Sequence, residues 1–313
     1  MSSLIKTRVL ILSDTHGLRF EEDKKPLAPA DLAIHCGDLT EDSKLESFRE
    51  TIRLLKEIDA PTKIVIAGNH DFSLDDGVFK DKIAEASRVA QEDLTQSIKD
   101  EYGDYGEAKR LFTGADPSII FLDEGTHEIH LQNGAFIKLF SAIAKAQPRI
   151  HCFGHVHGSW GAKIVSWRPQ ISENPSHFSD IDNAKSRIVE SLPRLQGTKW
   201  ESPEDSKARE NKLQLYGSQR CCIASYCQGD EERLPPGKTF FVNAALMGDK
   251  GLSQYPWLVD IELERHSGEG NSSSGNATPE KGHNIQKGKA AVASSEDGES
   301  KKAKLDLDDD SKR

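Results

Sequence analysis

The feature of this sequence that most constrains its fold is a polar cluster that recurs at the end of several short apolar runs. Each run is short and mostly apolar, and each is followed closely by Asp, Asn or His near a glycine. The clusters are Asp14-Thr15-His16, Gly37-Asp38, Gly68-Asn69-His70-Asp71 and Gly154-His155-Val156-His157. Short apolar runs of this kind are typical of buried strands. We therefore expect each cluster to lie at the carboxyl end of a strand.

Strand and helix patterns alternate along most of the chain. Residues 7–12, 31–36 and 63–67 predict strands, whereas 43–58 predicts an amphipathic helix because its apolar residues recur every three or four positions. Later apolar runs predict further strands, and Asn133-Gly134 between two of them is typical of a β-hairpin. This order predicts an α/β class fold in which layers of mixed sheet are flanked by helices.

Changes in composition divide the chain into segments. Residues 1–263 carry the strand and helix patterns, and 264–313 consist mainly of Ser, Gly, Asn, Lys and Asp. The second segment has too few apolar residues to offset the entropy of ordering, so we predict a disordered tail. Within the first segment, residues 169–222 are polar and interrupted by prolines, which suggests an insertion that is either a substrate-selecting cap or a surface loop.

Charge, cysteine content and hydropathy exclude several classes of protein. The net charge of −10 disfavours stable binding to nucleic acid or to an anionic membrane. The 5 cysteines are odd in number and lack zinc-finger spacing, as expected of reduced thiols. The apolar run at residues 9–12 is too short for a signal peptide or a membrane span. We expect a cytoplasmic protein, and a nuclear location remains an alternative.

The polar clusters together predict a metal site. The carboxyl ends of neighbouring strands meet at one edge of a sheet, so Asp, His and Asn side chains from all the clusters would converge there. An Asp-x-His or His-x-His pair is common in ordinary loops, but the ordered set at successive strand ends favours metal binding. Nitrogen and oxygen ligands without sulfur suit Mn, Fe, Zn or Ni better than a calcium cage.

The same residues carry a family resemblance. Asp14-x-His16, Gly37-Asp38, Gly68-Asn69-His70-Asp71 and Gly154-His155-x-His157 resemble the metallophosphoesterase signature of the calcineurin-like superfamily. Residues 13–17, 151–157 and 241–244 resemble its fungal and animal metallophosphoesterase-domain-containing branch in particular. The resemblance implies a β-sandwich of mixed sheets flanked by helices over residues 1–263, and a metal-dependent hydrolase of phosphate esters. Residues 39–42 differ from the Asp-Arg-Gly of the protein phosphatases, which disfavours a Ser/Thr phosphatase.

The resemblance also implies a role for each matched residue. Asp14, His16 and His157 would bind one metal ion, Asp38 would bridge two ions, and Asn69 and His155 would bind the second ion. His70 would contact phosphate or protonate the leaving oxygen, and Asp71 would be either its orienting partner or a loop acid. Two divalent transition-metal ions, with Mn the expected metal, would activate water for attack on a small phosphoester such as a nucleotide.

One metal ligand of the family pattern has no counterpart in this sequence. The family has a further histidine between the strand that ends here at Phe140 and the strand that begins at Ile150, but residues 141–149 contain none. We therefore predict that a strand–helix unit is missing and that the second metal site is weakened. Whether the chain itself or only its gene model lacks this unit is open. His127 follows a Gly-Thr pair but precedes the hairpin, so we interpret it as an ordinary strand residue.

Three functions follow from these patterns. The first is a metal-dependent phosphodiesterase that uses water activated by two metal ions. The second is a catalytically impaired or inactive protein of the same fold, which the missing histidine segment favours. The third is a nuclease of the same superfamily, which the net charge of −10 disfavours. The sequence does not predict an oligomeric state.

Overall fold

The first strand, β1 (Leu4–Leu12), is buried on both faces and separates two hydrophobic cores. Successive side chains of a strand point to opposite faces. Val9 and Ile11 accordingly pack into one core, whereas Leu10 and Leu12 pack into the other. The aliphatic run that predicted a strand therefore has a specific location, in the middle layer of the molecule.

The computed structural model describes residues 4–123, 127–133, 136–139, 146–172 and 179–265. This part of the chain contains two sheets of at least four strands each. The strands of the first sheet are β1, β2 (Leu32–His35), β3 (Lys63–Val65), β4 (Ile119–Phe121), β10 (Cys222–Ser225) and β14 (Trp257–Glu264). The strands of the second are β7 (Ile150–Phe153), β8 (Gly161–Ser166), β9 (Arg187–Ser191) and β11 (Lys238–Asn243).

The first sheet has the order β10-β14-β1-β2-β3-β4. Strands β1 to β4 pair in parallel, so their carboxyl ends lie along one edge, and β14 pairs with β1 antiparallel. The second sheet has the order β7-β11-β8-β9, with β7 parallel to β11. Two further pairs stand apart from these sheets. They are β5 (His127–His130) with β6 (Phe136–Leu139), and β12 (Met247–Gly248) with β13 (Gly251–Leu252).

The helices cover the face of the first sheet that carries Leu10 and Leu12, or connect strands elsewhere. They are α1 (Leu45–Glu57), α2 (Asp76–Ala90), α3 (Thr95–Tyr102), α4 (Glu107–Ala115), α5 (Leu192–Leu195) and α6 (Pro203–Gln219). Helix α1 buries Phe48 and Leu55 against this face, and Phe112 of α4 packs edge-on against Phe48. The spacing of apolar residues in α1 explains this contact, because positions three or four apart share one helix face.

The core between the two sheets is rich in aromatic side chains. Trp160 precedes β8 of the second sheet and stacks on Trp257 of the first, with ring centroids 5.2 Å apart. Phe240 of β11 is fully buried and meets Trp257 edge-on. Side chains from both sheets belong to one continuous core, so the sheets face each other as a sandwich.

The α/β prediction, with mixed sheets flanked by helices, is confirmed. The strands expected at residues 7–12, 31–36, 63–67 and 150–153 are present, although the second and third end earlier than their apolar runs. Strand β9 and helix α6, within the polar segment 169–222, have no counterpart in the sequence-based prediction. Within the described ranges, no helix is long and apolar enough to cross a membrane.

Several expectations fall on residues outside the described ranges. Residues 140–145, which include most of the stretch where the family's histidine segment would lie, are among them. Gly134 of the expected hairpin turn and all but the first two residues of the expected tail at 264–313 also lie outside. The missing segment, the tail and the limits of the domain therefore stay predictions.

Candidate metal centre

Loops from both sheets meet where β1, β2, β3 and β7 end. The loop after β1 is joined to the loop after β2 by two backbone hydrogen bonds, from Asp14 N to Gly37 O at 3.0 Å and from His16 N to Asp38 O at 3.1 Å. The carboxylate of Asp14 accepts a hydrogen bond from His155 N, at 2.9 Å, in the loop after β7. Residues far apart in the sequence therefore form one site.

The backbone adopts the left-handed conformation at several of the predicted ligands. The φ angles are 56° at Asp14, 49° at His16, 51° at Asp38 and 70° at His155. Positive φ is uncommon for residues other than glycine, and such conformations carry a cost of about 1–3 kcal/mol each. Their concentration at these positions indicates a site where the backbone is constrained to direct side chains inward.

The glycines of the clusters serve two different purposes. Gly37 has φ of +99° and allows the chain to turn before Asp38. Gly68 and Gly154 instead allow close approach, because a Cβ atom would lie 2.1 Å from Asp38 N at the first position and 2.0 Å from Asp14 Oδ2 at the second. Gly37 is therefore required by its backbone conformation, whereas Gly68 and Gly154 are required because neighbouring atoms leave no room for a side chain.

Asp14, His16 and His157 form the tightest group of ligand atoms. One atom from each lies within 4.8 Å of the others, and His157 Nε2 is 3.0 Å from Asp14 Oδ1. Asp14 is fully buried and His16 is 8% exposed, whereas His157 is half-buried. Divalent transition metals bind to ligand sets of this kind, in which one carboxylate and two imidazoles converge.

His16 lacks hydrogen bonds that its burial would otherwise require. Neither ring nitrogen has a hydrogen-bond partner among the described residues. Burial, the largest influence, lowers the pKa of His16, so the ring is neutral near pH 7 and has a lone pair to offer. Buried polar atoms are rarely left without a partner. The lack of partners for these nitrogens fits a site in which imidazole rings and carboxylates together hold a metal ion.

The second group of predicted ligands is more open. Asp38 is buried, and its Oδ1 accepts a hydrogen bond from His70 N at 3.0 Å. Its Oδ2 lies 3.9 Å from His155 Nδ1, and both His155 and Asn69 are exposed. Asp38 thus lies near His155, and its charge also acts on the His16 ring, whereas His155 and Asn69 on this side are open to solvent.

His70 lies beside His16, with ring centroids 4.9 Å apart. Its Nδ1 is 2.9 Å from the carbonyl oxygen of Glu41. Because a carbonyl oxygen only accepts, Nδ1 carries the hydrogen and Nε2 is directed elsewhere. This hydrogen bond is the largest influence on His70 and raises its pKa, since it favours the protonated ring.

Asp71 connects two loops of the site. Its carboxylate accepts hydrogen bonds from Leu39 N, Thr40 N, the Thr40 hydroxyl and Gly68 N, at 2.8–2.9 Å. His70 is not among these donors. Burial nevertheless dominates and raises the pKa of Asp71 to about 6. The geometry places Asp71 as a loop acid that fixes the loops around Asp38, rather than as a direct partner of the His70 ring.

Three residues near the centre were missed from the sequence. Asn243 Nδ2 donates to Val156 O at 2.9 Å, and Gln254 Nε2 donates to His157 O at 3.1 Å, so both hold the histidine loop. The Glu41 carboxylate lies 2.7 Å from His16 Nδ1. Asn243 is the last residue of β11, a position similar to that of the other clusters, whereas Glu41 and Gln254 had no such signal.

Other histidines of the described ranges lie elsewhere in the fold. His127 Nε2 is 2.9 Å from the carbonyl oxygen of Asp123, and His151 stacks on Phe153 within β7. His35 is fully buried in β2, with Nε2 2.9 Å from the Thr15 hydroxyl. None of these rings belongs to a ligand group of the described residues.

Comparison with known proteins connects this site to a family. The family model of the calcineurin-like phosphoesterase superfamily domain matches residues 7–165, which are just over half of the chain and include all the predicted ligands. One curated relative, the probable rhamnogalacturonate lyase C of Emericella nidulans, is 27% identical over 191 residues. The similarity covers 51% of this chain but only 18% of that relative, so the chain spans less than a fifth of the relative's length.

Proposed function

Because the chain belongs to the calcineurin-like phosphoesterase superfamily, whose members are metal-dependent phosphoester hydrolases, we propose that it is a phosphodiesterase acting on a small nucleotide or a similar ester. One observation carries the proposal. Asp14, His16 and His157 converge within 4.8 Å, and the buried His16 ring has no hydrogen-bond partner among the described residues. We also assign the chain to the fungal and animal metallophosphoesterase-domain-containing branch.

The proposed metal ligands are those that the motifs predict. Asp14, His16 and His157 hold one ion, Asp38 bridges, and Asn69 and His155 hold the second. Support for the first position comes from burial and convergence, and support for the bridge comes from the nearness of Asp38 to His155 and its electrostatic effect on His16. We propose Mn as the metal, with Fe, Zn or Ni as alternatives, because the donors are nitrogen and oxygen without sulfur.

The residues of the chain have separate tasks in this reaction. Bound metal ions supply a water molecule of lowered pKa and offset negative charge on the phosphoryl oxygens. His70 donates its Nδ1 hydrogen to Glu41 O, which leaves Nε2 to contact phosphate or to give a proton to the leaving oxygen. Its raised pKa favours the protonated form that this step needs. Asp71 keeps the Asp38 and His70 loops together.

A pair of variants tests the assignment. Asp38→Ala removes the buried carboxylate near His155, so we expect bound Mn²⁺ and phosphodiester hydrolysis both to be lost. Asp42→Ala removes a nearby acid whose Oδ1 contacts Ser47 Oγ at 2.7 Å outside the site, so both properties should remain. Metal content by mass spectrometry and hydrolysis of a generic phosphodiester are the measurements. Equal behaviour of the two variants would show that the ligand assignment is wrong.

A second candidate function is a catalytically impaired protein that holds one metal ion. The exposure of Asn69 and His155, with His155 Nδ1 3.9 Å from Asp38, favours it, because open ligands bind more weakly than converged ones. The number of Mn²⁺ ions per chain after loading and gel filtration distinguishes the two. About two ions support the phosphodiesterase with two metals, and one ion supports the impaired protein.

The other predictions are part of the same proposal. We propose a catalytic domain at residues 1–263 with a polar insertion at 169–222 and a tail at 264–313, and a missing strand–helix unit between Phe140 and Ile150. A cytoplasmic location is proposed, with the nucleus as the alternative. The net charge of −10 supports a small substrate rather than a nucleic acid.

A further inference from the structure

We propose that Glu41 is a further ligand of the metal centre, beside His16. This carboxylate has no place in the ligand set assigned above, and the inference rests on the proposed function because it concerns the same centre. His16, Glu41 and His70 each offer one ligand atom, and the three atoms lie within 4.8 Å of one another. The group shares His16 with the Asp14 and His157 group, so it extends that site toward solvent.

The contact between Glu41 and His16 has the distance of neighbouring ligands rather than the geometry of a hydrogen bond. Glu41 Oε2 lies 2.7 Å from His16 Nδ1, yet Nδ1 makes no hydrogen bond. Two adjacent ligand atoms, each about 2.1 Å from an octahedral ion, lie about 3 Å apart. The two atoms are therefore close enough to contact one ion, and no hydrogen bond joins them.

An independent observation comes from the burial of His16. The residue is 8% exposed, and Nδ1 and Nε2 both lack a hydrogen-bond partner in the described part of the chain. A neutral imidazole has one lone pair, so His16 can hold a single ion through one nitrogen. Because Glu41 Oε2 lies 2.7 Å from Nδ1, an ion bound to Nδ1 lies within reach of the Glu41 carboxylate.

The charge and the exposure of Glu41 determine what it contributes to metal binding. Its side chain is 69% exposed, so the carboxylate lies at the solvent side of the centre and is free to move toward an ion. The buried acids Asp14 and Asp38 supply two negative charges. A third carboxylate brings the total closer to the four positive charges of two divalent ions, which stabilises their binding. The group therefore suits a divalent cation with nitrogen and oxygen ligands, such as Mn²⁺.

The test is an Mn²⁺ titration of the metal-free full chain by calorimetry at pH 7.5. Glu41→Gln keeps the size of the side chain and removes its charge. We expect the affinity for at least one Mn²⁺ to fall by about 10-fold or more, as changes around metal ligands commonly do. Glu41→Asp keeps the carboxylate and should bind more tightly than Glu41→Gln. Because Glu41 is exposed, the unfolding temperature of the metal-free variants should equal that of the wild type.

Glu46→Gln is the matched control. Glu46 is an exposed glutamate in α1 that pairs with Arg49 and Arg53, and its variant undergoes the same change of charge. Its Mn²⁺ affinity should equal that of the wild type. If Glu46→Gln loses as much affinity as Glu41→Gln, the effect is one of net charge and the proposal fails.

Two outcomes separate this inference from the proposed function. If the wild type binds Mn²⁺ and hydrolyses phosphodiesters but Glu41→Gln binds Mn²⁺ equally well or better, Glu41 only pairs with protonated His16. This inference is then wrong while the proposed function stands. If the wild type binds no Mn²⁺ at all, both are wrong.

Discussion

At the scale of single residues, Gly154 and Gly158 lie in the same loop but differ in their surroundings. A Cβ atom at Gly154 would lie 2.0 Å from both Asp14 Oδ2 and Ser13 Oγ, whereas one at Gly158 would meet no heavy atom within 4 Å. Gly154→Ala should therefore push Asp14 away from His157. We expect it to cost about 1–3 kcal/mol of stability, as overpacking does, and to weaken Mn²⁺ binding. Urea unfolding and Mn²⁺ titration measure both effects.

Gly158→Ala is the control for this prediction. It makes the same chemical change in the same loop, so stability and Mn²⁺ binding should stay close to those of the wild type. If Gly154→Ala bound Mn²⁺ as well as Gly158→Ala does, the close approach of this loop to Asp14 would not matter for the site.

The residue types of the site were predictable, but their individual tasks were not. The Asp, His and Asn positions could be found because each follows an apolar run. The direct contacts of Asp71 with Leu39 and Thr40 could not, because they join segments some thirty positions apart through backbone groups that carry no sequence signal. Glu41 was missed for a related reason, since its nearness to His16 depends on how two loops cross.

At the scale of secondary structure, helix α6 begins with a side-chain cap. The Ser202 hydroxyl accepts a hydrogen bond from Asp205 N at 3.1 Å, and Pro203 occupies the first helical position. Ser202→Ala leaves this backbone N–H without its partner, so we expect it to destabilise the protein by about 1 kcal/mol. Urea unfolding measures the change in the free energy of unfolding.

Ser218→Ala makes the same change near the other end of α6. The Ser218 hydroxyl donates to Leu215 O at 2.8 Å, a carbonyl of the helix itself, and alanine favours helix more than serine does. This variant should be as stable as the wild type or slightly more so. A loss from Ser218→Ala equal to that from Ser202→Ala would mean that the cap contributes nothing specific.

The same helix shows why some elements escaped prediction. Ser202-Pro203 followed by Glu204 and Asp205 is a sequence signal for a helix start, but the polar character of residues 169–222 concealed it. Helix α6 buries little beyond Tyr216, so its apolar periodicity is weak. Helix α1, which buries several apolar residues on one face, was by contrast predictable from spacing alone.

At the scale of the whole molecule, the buried His35 should make stability depend on pH. Burial, with a smaller effect from His16, lowers the pKa of His35 to about 3. An unfolded chain would take up a proton near the ordinary pKa of about 6.5. The contribution of neutral His35 to the free energy of unfolding is therefore fully present above pH 6.5 and is lost as the pH falls from 6.5 toward 3. At pH 5 the loss amounts to about 2 kcal/mol relative to pH 8.

Urea unfolding of the metal-free protein at pH 8 and pH 5 tests this dependence. In His35→Gln the side chain still offers a polar partner to Thr15, but it does not titrate. Between pH 8 and pH 5 the free energy of unfolding of the variant should fall by about 2 kcal/mol less than that of the wild type. Equal losses in the two proteins would show that His35 does not carry the effect.

The sequence by itself determined the class of fold and the chemistry of the site. Period-2 burial on both faces of β1 follows from its aliphatic residues, and the nitrogen and oxygen donors of the candidate site lie in the motifs at the strand ends. Such features depend on residues that are close together in the sequence, so sequence patterns alone predict them.

Only the tertiary structure decided how those residues meet. The left-handed backbone at Asp14, His16, Asp38 and His155, and the approach of Gly154 to Asp14, depend on two sheets closing over one aromatic core. The orphaned nitrogens of His16 and the nearness of Glu41 arise in the same way. These features depend on contacts between distant segments, and their geometry is fixed only when the whole chain is packed.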